Sequence, residues 1–168
     1  MDVDNNEVIM RIAEPDDTQA IMYLLKTYYS EMALNHPPID KGDCMEWILR
    51  TIRYGGSSVA ILKDRVVGSV GCAPYEFNYN RRFKYIMNEW LTVHPKYRNL
   101  GIANKLIAHC KSISDKKSEL VGERIPFMFS ISSGKDKRLD RFVEMNGFDY
   151  AGGLFTYGMS IENNGTEH

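Results

Sequence analysis

Residues Trp90–Leu106, WLTVHPKYRNLGIANKL, decide the reading of this chain. An apolar run stops at Pro95, and Arg98-x-x-Gly101-x-Ala103 then opens a segment with Ile102, Leu106, Ile107, Cys110 and Ile113 on one helical face. A strand that turns through Gly into a helix aims several backbone N–H groups at one point, where the helix dipole favours negative charge. Gly101 and Ala103 carry almost no side chain, so a phosphate can approach the backbone. The segment matches neither G-x-x-x-x-G-K-S/T nor G-x-G-x-x-G, which sets aside a P-loop and a dinucleotide fingerprint. From these residues alone two readings stand: an anion site, or a strand-to-helix turn that uses Gly for its geometry.

Working upstream, Tyr85–Val93 reads as a strand, and residues 74–83, polar and aromatic, read as a loop into which the preceding strand can run as far as Tyr75 and Phe77. Val66–Ala73 and Ser58–Leu62 form an antiparallel pair about Lys63-Asp64-Arg65, with Gly68, Ser69 and Gly71 leaving room for close packing. Two amphipathic helices precede them. The first carries Ile21, Leu24, Leu25, Tyr28 and Met32 between the helix-start chemistry of Pro15-Asp16-Asp17-Thr18 and the stop at Asn35-His36-Pro37-Pro38. The second, over about residues 43–53, carries Met45, Ile48, Leu49 and Ile52. A first strand fits residues 7–13, with Val8, Met10 and Ile12 on one face.

Downstream, the helix from Gly101 runs to about Lys117, followed by a strand over Pro126–Ser132 and a helix over Asp136–Asn146 that Gly147 caps. Two last strands fit 148–152 and 154–160. The order β-α-α-β-β-β-α-β-α-β-β is that of an α/β protein, a mixed sheet with helices on its faces.

Composition narrows the class. A chain of 168 residues with 43% apolar and 26% charged residues is expected to form one domain over 1–168, with residues 1–6 and 162–168 frayed. No apolar run reaches about 18 residues, and MDVDNNEVIM lacks the basic-then-apolar pattern of a secretory signal. Cys44, Cys72 and Cys110 have no C-x-x-C spacing and read as reduced thiols of a cytoplasmic protein. His36, His109 and His168 are scattered without zinc spacing, so no metal is expected. A net charge of -1 argues against general nucleic-acid binding. Residues 1–80 hold 7 Lys/Arg against 12 Asp/Glu, and residues 81–168 hold 14 against 10. That asymmetry reads as solvated charge, or as a polyanion site in the second half with a cation-receiving surface in the first.

Leu91–Ile107, LTVHPKYRNLGIANKLI, resembles the pyrophosphate-binding motif of the GNAT superfamily of acetyl-CoA-dependent N-acyltransferases, Arg/Gln-x-x-Gly-x-Gly/Ala after a strand ending in Val-x-Pro. IMRIAEPDD (Ile9–Asp17) resembles the family's first strand and helix start, and Asp64–Gly68 resembles its second hairpin. Arg141–Phe148 resembles its late helix ending in Gly-Phe, so the likeness extends in order over residues 9–159. Ser132-Ser133-Gly134-Lys135-Asp136-Lys137 is also similar to a stretch of acetyltransferase-like proteins encoded by phages.

The resemblance implies the GNAT fold, with the fourth and fifth strands splayed and acetyl-CoA as co-substrate between them. Backbone of Leu91 and Val93 would hold the pantetheine arm and polarise the thioester. Amides from Arg98 through Asn99, Gly101, Ile102 and Ala103 to Asn104 would hold the pyrophosphate. The implied reaction is acetyl transfer to a primary amine by direct attack in a ternary complex. A primary amine is about 99.9% protonated at pH 7, so a base is required. Alternation places Glu89 on one face with Leu91 and Val93, where the family often has a carboxylate or His, and makes it the catalytic candidate; by itself it reads as an ordinary strand carboxylate. Trp90 then faces the other way, under a helix.

His94 is expected to stabilise its turn. Cys110 reads as core. Glu31, Asp40 and Asp43 are placed to receive a cationic acceptor. Arg81-Arg82-x-Lys84, interleaved with Tyr79 and Phe83, reads as a solvated loop or a contact for RNA or an acidic partner.

Two positions depart from the family pattern: Val143 stands where many members have an acidic Tyr, and Asp136 where they have Asn. Ser132, Ser133, Tyr150 and Tyr157 remain as possible proton donors. The departures leave open an acyl-CoA-binding protein without turnover, and the phage likeness leaves open a toxin-like enzyme acting on a host macromolecule. A homodimer through the last strands is compatible with either.

Overall fold

In the computed structural model, which describes residues 8–31, 37–130 and 137–149, the chain enters through β1 (Ile9–Ile12) and tightens at Pro15–Asp17 into α1 (Thr18–Glu31). Asp17 fixes that entry. Its carboxylate accepts the Glu14 amide at 2.8 Å and two Arg11 nitrogens at 2.7 and 2.9 Å. Burial by itself would raise the pKa of Asp17, but the Arg11 and Glu14 hydrogen bonds and the Arg11 charge outweigh it and hold the carboxyl below its ordinary range. Helix α2 (Lys41–Arg53) opens at Asp40, whose side chain accepts the Asp43 amide at 3.0 Å, and closes with Arg50 and Arg53 in its last turn.

The sheet follows: β2 (Ser58–Leu62), β3 (Arg65–Phe77), β4 (Asn80–Val93) and, after α3 (Ile102–Val121), β5 (Phe127–Met128); α4 (Lys137–Met145) ends the described chain. Strand order is β1-β2-β3-β4-β5, antiparallel until β5, which runs parallel to β4. This is the mixed sheet that the element order implied. Helices α1 and α2 bury Ile21, Leu25, Ile48 and Ile52 with Val59 and Trp90 on one face. Helix α3 buries Ile102, Leu106 and Cys110 with Val70, Cys72 and Val93 on the other. The small residues of β3 serve both layers. A Cβ on Gly71 would lie 2.4 Å from the Trp90 indole, and one on Gly68 would lie 3.0 Å from Ile102.

The strand does run on through Tyr75 to Phe77, as the sequence allowed, and the rest of 74–83 is not a loop. β3 continues to Phe77, β4 begins at Asn80, and only Asn78-Tyr79 turns between them. Cross-strand aromatic contacts hold this hairpin, with Tyr75 stacked on Tyr85 at 5.6 Å and Phe77 against Tyr85 at 4.7 Å. Its other residues, Tyr79 and Phe83 among them, are exposed. Helix α3 runs past Lys117 to Val121, where Gly122 caps it in a left-handed conformation. Phe148 and Asp149 are not in a strand, and the rest of the strands expected at 148–152 and 154–160, with the dimer contact expected through them, lies outside the described residues. Helix α4 docks through its end: Lys111 Nζ donates to the Asn146 carbonyl at 2.9 Å, and Asn146 Nδ2 donates to Asn104 Oδ1 at 3.0 Å.

Candidate active site

The β3–β4 register breaks at one residue. Gly71 faces Trp90 and Cys72 faces Asn88, so Glu89 has no partner and forms a β-bulge. The extra residue consumes the alternation and corrects the expected side-chain facing. Glu89 does not share a face with Leu91 and Val93, which pack with the α3 cluster. It turns toward α2, where its Oε2 accepts the Trp47 indole N–H at 3.0 Å. Trp90 packs under the helices as expected, edge-on to Trp47 at 4.8 Å, with its own N–H donated to Ser69 Oγ at 3.1 Å. Glu89 and Trp90 therefore both meet Trp47.

The other Glu89 oxygen, Oε1, accepts the Tyr75 hydroxyl. Burial, the hydrogen bond to Glu89 and that residue's charge push the Tyr75 phenol up to about 12, against an opposing pull from Arg50. Tyr75 is therefore a neutral donor at pH 7. Trp47 and Tyr75 are site residues that the sequence reading did not single out. Trp47 falls just off the apolar stripe of its helix, and Tyr75 sits in the stretch taken as a loop.

At the far end of β4, His94 stabilises its turn: Nδ1 accepts the Lys96 amide at 3.3 Å, and the ring packs on Tyr97 at 5.4 Å. The Arg98 side chain is committed. Its Nε donates to the Val93 carbonyl at 3.1 Å, and its guanidinium meets Glu31 at 2.5 Å, so the side chain is taken up within the fold. Gly101 sits at φ 67 and ψ 13, with nothing within 4 Å of where a Cβ would lie. Helix α3 begins immediately after it without a side-chain cap, and Lys105 N makes a backbone bond to Gly101 O at 3.2 Å. The amides of Ile102, Ala103 and Asn104 precede that bond and have no intrahelical acceptor. This open cradle of N–H groups fits the diphosphate of coenzyme A. The Ile102 side chain is fully buried, so that residue offers its backbone alone; Asn99 is exposed at the rim.

The strand edge also fits. His94 N donates to Val67 O at 2.8 Å, so by alternation the amides of Leu91 and Val93 face away from β3. Among the described residues, β5 pairs with β4 at Ile86 and Met87 only, and the Asn88 side chain then bridges to Ser130 through bonds of 2.9 and 2.6 Å. Beyond Asn88 the edge toward Val93 is unpaired by any described strand.

The remaining candidates separate clearly. Glu31 is paired with Arg98 and Asp40 caps α2, so only Asp43 of the three acidic residues has no such duty. Val143 is buried and offers no proton. Asp136, Ser132, Ser133, Tyr150 and Tyr157 lie outside the described residues, as do His36 and His168. His109 bonds to Ser58 Oγ at 2.8 Å, and burial with nearby Lys116 pulls its pKa down. Cys110 lies in the core with its sulfur 3.3 Å from that of Cys72. Arg81, Arg82 and Lys84 are exposed along the hairpin. No described helix is long and apolar enough to cross a membrane.

Comparison with known proteins bears on the family and the fold. Residues 54–149 match the profile of a family described as "Acetyltransferase (GNAT) domain". No curated protein matches the chain in sequence. An aminoglycoside acetyltransferase from an uncultured soil metagenomic sample, in complex with sisomicin, is similar at TM-score 0.66 and 15% identity, over 94% of this chain and 99% of that one. AAC(6')-Iy in complex with the bisubstrate analogue CoA-S-monomethyl-acetylneamine is similar at TM-score 0.69 and 16% identity, over 89% and 96%. A predicted acetyltransferase from Clostridium acetobutylicum, with acetyl-CoA, is similar at TM-score 0.66 and 12% identity, over 90% and 96%. At these identities the likeness shows a shared fold.

Proposed function

The chain belongs to the GNAT acetyltransferase family and is an acetyl-CoA-dependent enzyme, and on that premise we propose that it acetylates a primary amine, with Glu89 taking the amine's proton. One observation carries this reading: the β4 bulge turns Glu89 out of the strand's alternation, two residues before the edge and loop that fit the coenzyme.

The acceptor arrives charged, because an amine of pKa near 10 is almost wholly protonated at pH 7. Trp47 and Tyr75 hold one oxygen each of the Glu89 carboxylate, which fixes its orientation while each oxygen keeps a lone pair to accept a proton. The amides of Leu91 and Val93 and those from Arg98 to Asn104 would hold the coenzyme, Asn99, Gly101, Ile102 and Ala103 contributing in sequence. Acetyl-CoA supplies the acetyl group as a thioester, whose carbon bonds to the amine nitrogen as the C–S bond breaks. The chain binds both partners together and forms no covalent link of its own. A thiolate of pKa about 8.5 can leave with help from water, so Val143 in place of a tyrosine does not forbid turnover.

Val143 does favour a second reading, an acyl-CoA-binding protein without turnover. Thiol release from acetyl-CoA over a panel of amines separates the two. Release with wild type and a loss of about 100-fold in Glu89→Gln supports the transferase; no release with any amine supports the binder. The sites described so far fit one domain over residues 1–168, and the free cysteines fit a reducing, cytoplasmic setting.

A further inference from the structure

The hairpin that the sequence reads as a loop carries a row of rings leading away from Glu89. Tyr75 donates to that carboxylate and stacks on Tyr85 at 5.6 Å; Tyr85 meets Phe77 at 4.7 Å, and Phe77 meets Tyr79 at 5.5 Å. Tyr75, Phe77 and Tyr85 are half-buried, and Tyr79 is 87% exposed. The row is therefore accessible at its outer end and closed at Glu89. Its charge is unlike that of a polycation receptor. Glu31 and Asp40 are used within the fold, which leaves Asp43 of the three; on the hairpin Arg81, Arg82 and Lys84 stand exposed against Glu76 alone, which lies opposite Lys84, and the charge of Arg50 acts on Tyr75.

Resting on the transferase reading above, we propose that this row is the acceptor shelf, and that the acceptor is a primary amine carried on a flat aromatic group by a short linker. Ring faces and edges at 4.5–7 Å spacing accept another ring by offset or edge contact. An ammonium passing over them is attracted by the ring quadrupole before it reaches Glu89. One carboxylate at the end of the row serves one amine. A polycationic sugar would meet three exposed cations along the hairpin, Arg81, Arg82 and Lys84, against one exposed carboxylate, Glu76, which lies opposite Lys84.

The test is calorimetric titration of the protein in saturating coenzyme A with 2-phenylethylamine, ethylamine and kanamycin, followed by thiol-release assays with acetyl-CoA. Phenylethylamine is expected to bind about 10-fold or more tightly than ethylamine, and more tightly than kanamycin. Phe77→Ala should reduce the preference over ethylamine to about 3-fold or less, and Phe77→Tyr should keep it. Tyr79→Ser, at the exposed outer end where folding is not at risk, should cost about 2-fold. Equal binding of the two small amines, a preference untouched by Phe77→Ala, or tighter kanamycin binding overturns the shelf. Ring-selective binding without thiol release overturns the transferase reading and leaves the shelf. Thiol release without ring selectivity does the reverse.

Discussion

The two ends of the candidate site on β4 are built in different ways. From Val93 to Asn104 the coenzyme end is one continuous stretch, in which a proline stop, a left-handed Gly101 and an uncapped helix start make the cradle locally. At the bulge, Glu89 depends on Trp47 from α2, on Tyr75 from β3 and on a register slip between strands. A local device tolerates change elsewhere in the molecule. A device assembled from three elements is sensitive to each of them, and this contrast can be measured.

The largest effect is expected at the coenzyme end. Gly101→Glu forces a left-handed backbone on a side chain that rarely adopts it and sets a negative charge beside the cradle. Affinity for acetyl-CoA, measured by calorimetry, should fall about 100-fold, while the melting temperature falls only by the few degrees that about 1–2 kcal/mol of left-handed strain costs, since the Cβ itself enters open space. A large loss of stability with intact affinity would remove the cradle from coenzyme binding.

The backbone geometry of that end, a turn through Gly101 into a helix start, was legible in sequence because its residues are neighbours and Gly, Pro and the apolar spacing each constrain the backbone. The layers were legible for the same reason, down to the small residues of β3 that admit Trp90 and Ile102. Glu89 was found as a residue, but its facing was misread. Alternation assumes one partner per residue, and the slip that sets Trp90 opposite Gly71 is a packing event between strands. Trp47 and Tyr75 could not be read at all. Their value lies in reaching a carboxylate 42 and 14 residues away in the chain. The strand's run to Phe77 was legible, but the start of β4 from Asn80 to Lys84 was taken for a loop because polarity marks solvent exposure, and a strand can be exposed without being irregular.

A second effect, of intermediate size, lies in the layer that carries Trp47. Asp17→Ala breaks a pair in which the Asp17 side chain is 8% exposed and the Arg11 side chain 36%. The cost should be about 2 kcal/mol, below that of a fully buried pair because water still screens Arg11. The sign with pH follows from the lowered pKa of Asp17. Its stabilisation is full above the ordinary carboxylate value of 3.8 and is lost as pH falls through the lower folded value. Thermal melts of wild type and Asp17→Ala should thus differ most at neutral pH and converge in strong acid. A constant difference across that range would contradict the assignment.

The smallest effects sharpen the contrast at the bulge. Trp47→Phe and Tyr75→Phe each remove one hydrogen bond to Glu89, the first leaving a smaller aromatic ring and the second the same one, and each should lower kcat by about 3- to 10-fold. Acetyl-CoA affinity should remain, because the cradle is local. Coenzyme binding that falls in step with kcat would mean that the two ends are one unit.

The proton-accepting role of Glu89 is tested most directly by comparing Glu89→Gln with wild type on two amines, one of ordinary pKa near 10 and one fluorinated to a pKa below 7. The first amine needs a base at pH 7 and the second arrives neutral. Single-turnover rates should fall about 100-fold with the first amine and by less than about 3-fold with the second. An equal loss with both amines, or no loss with either, would contradict the role assigned to Glu89.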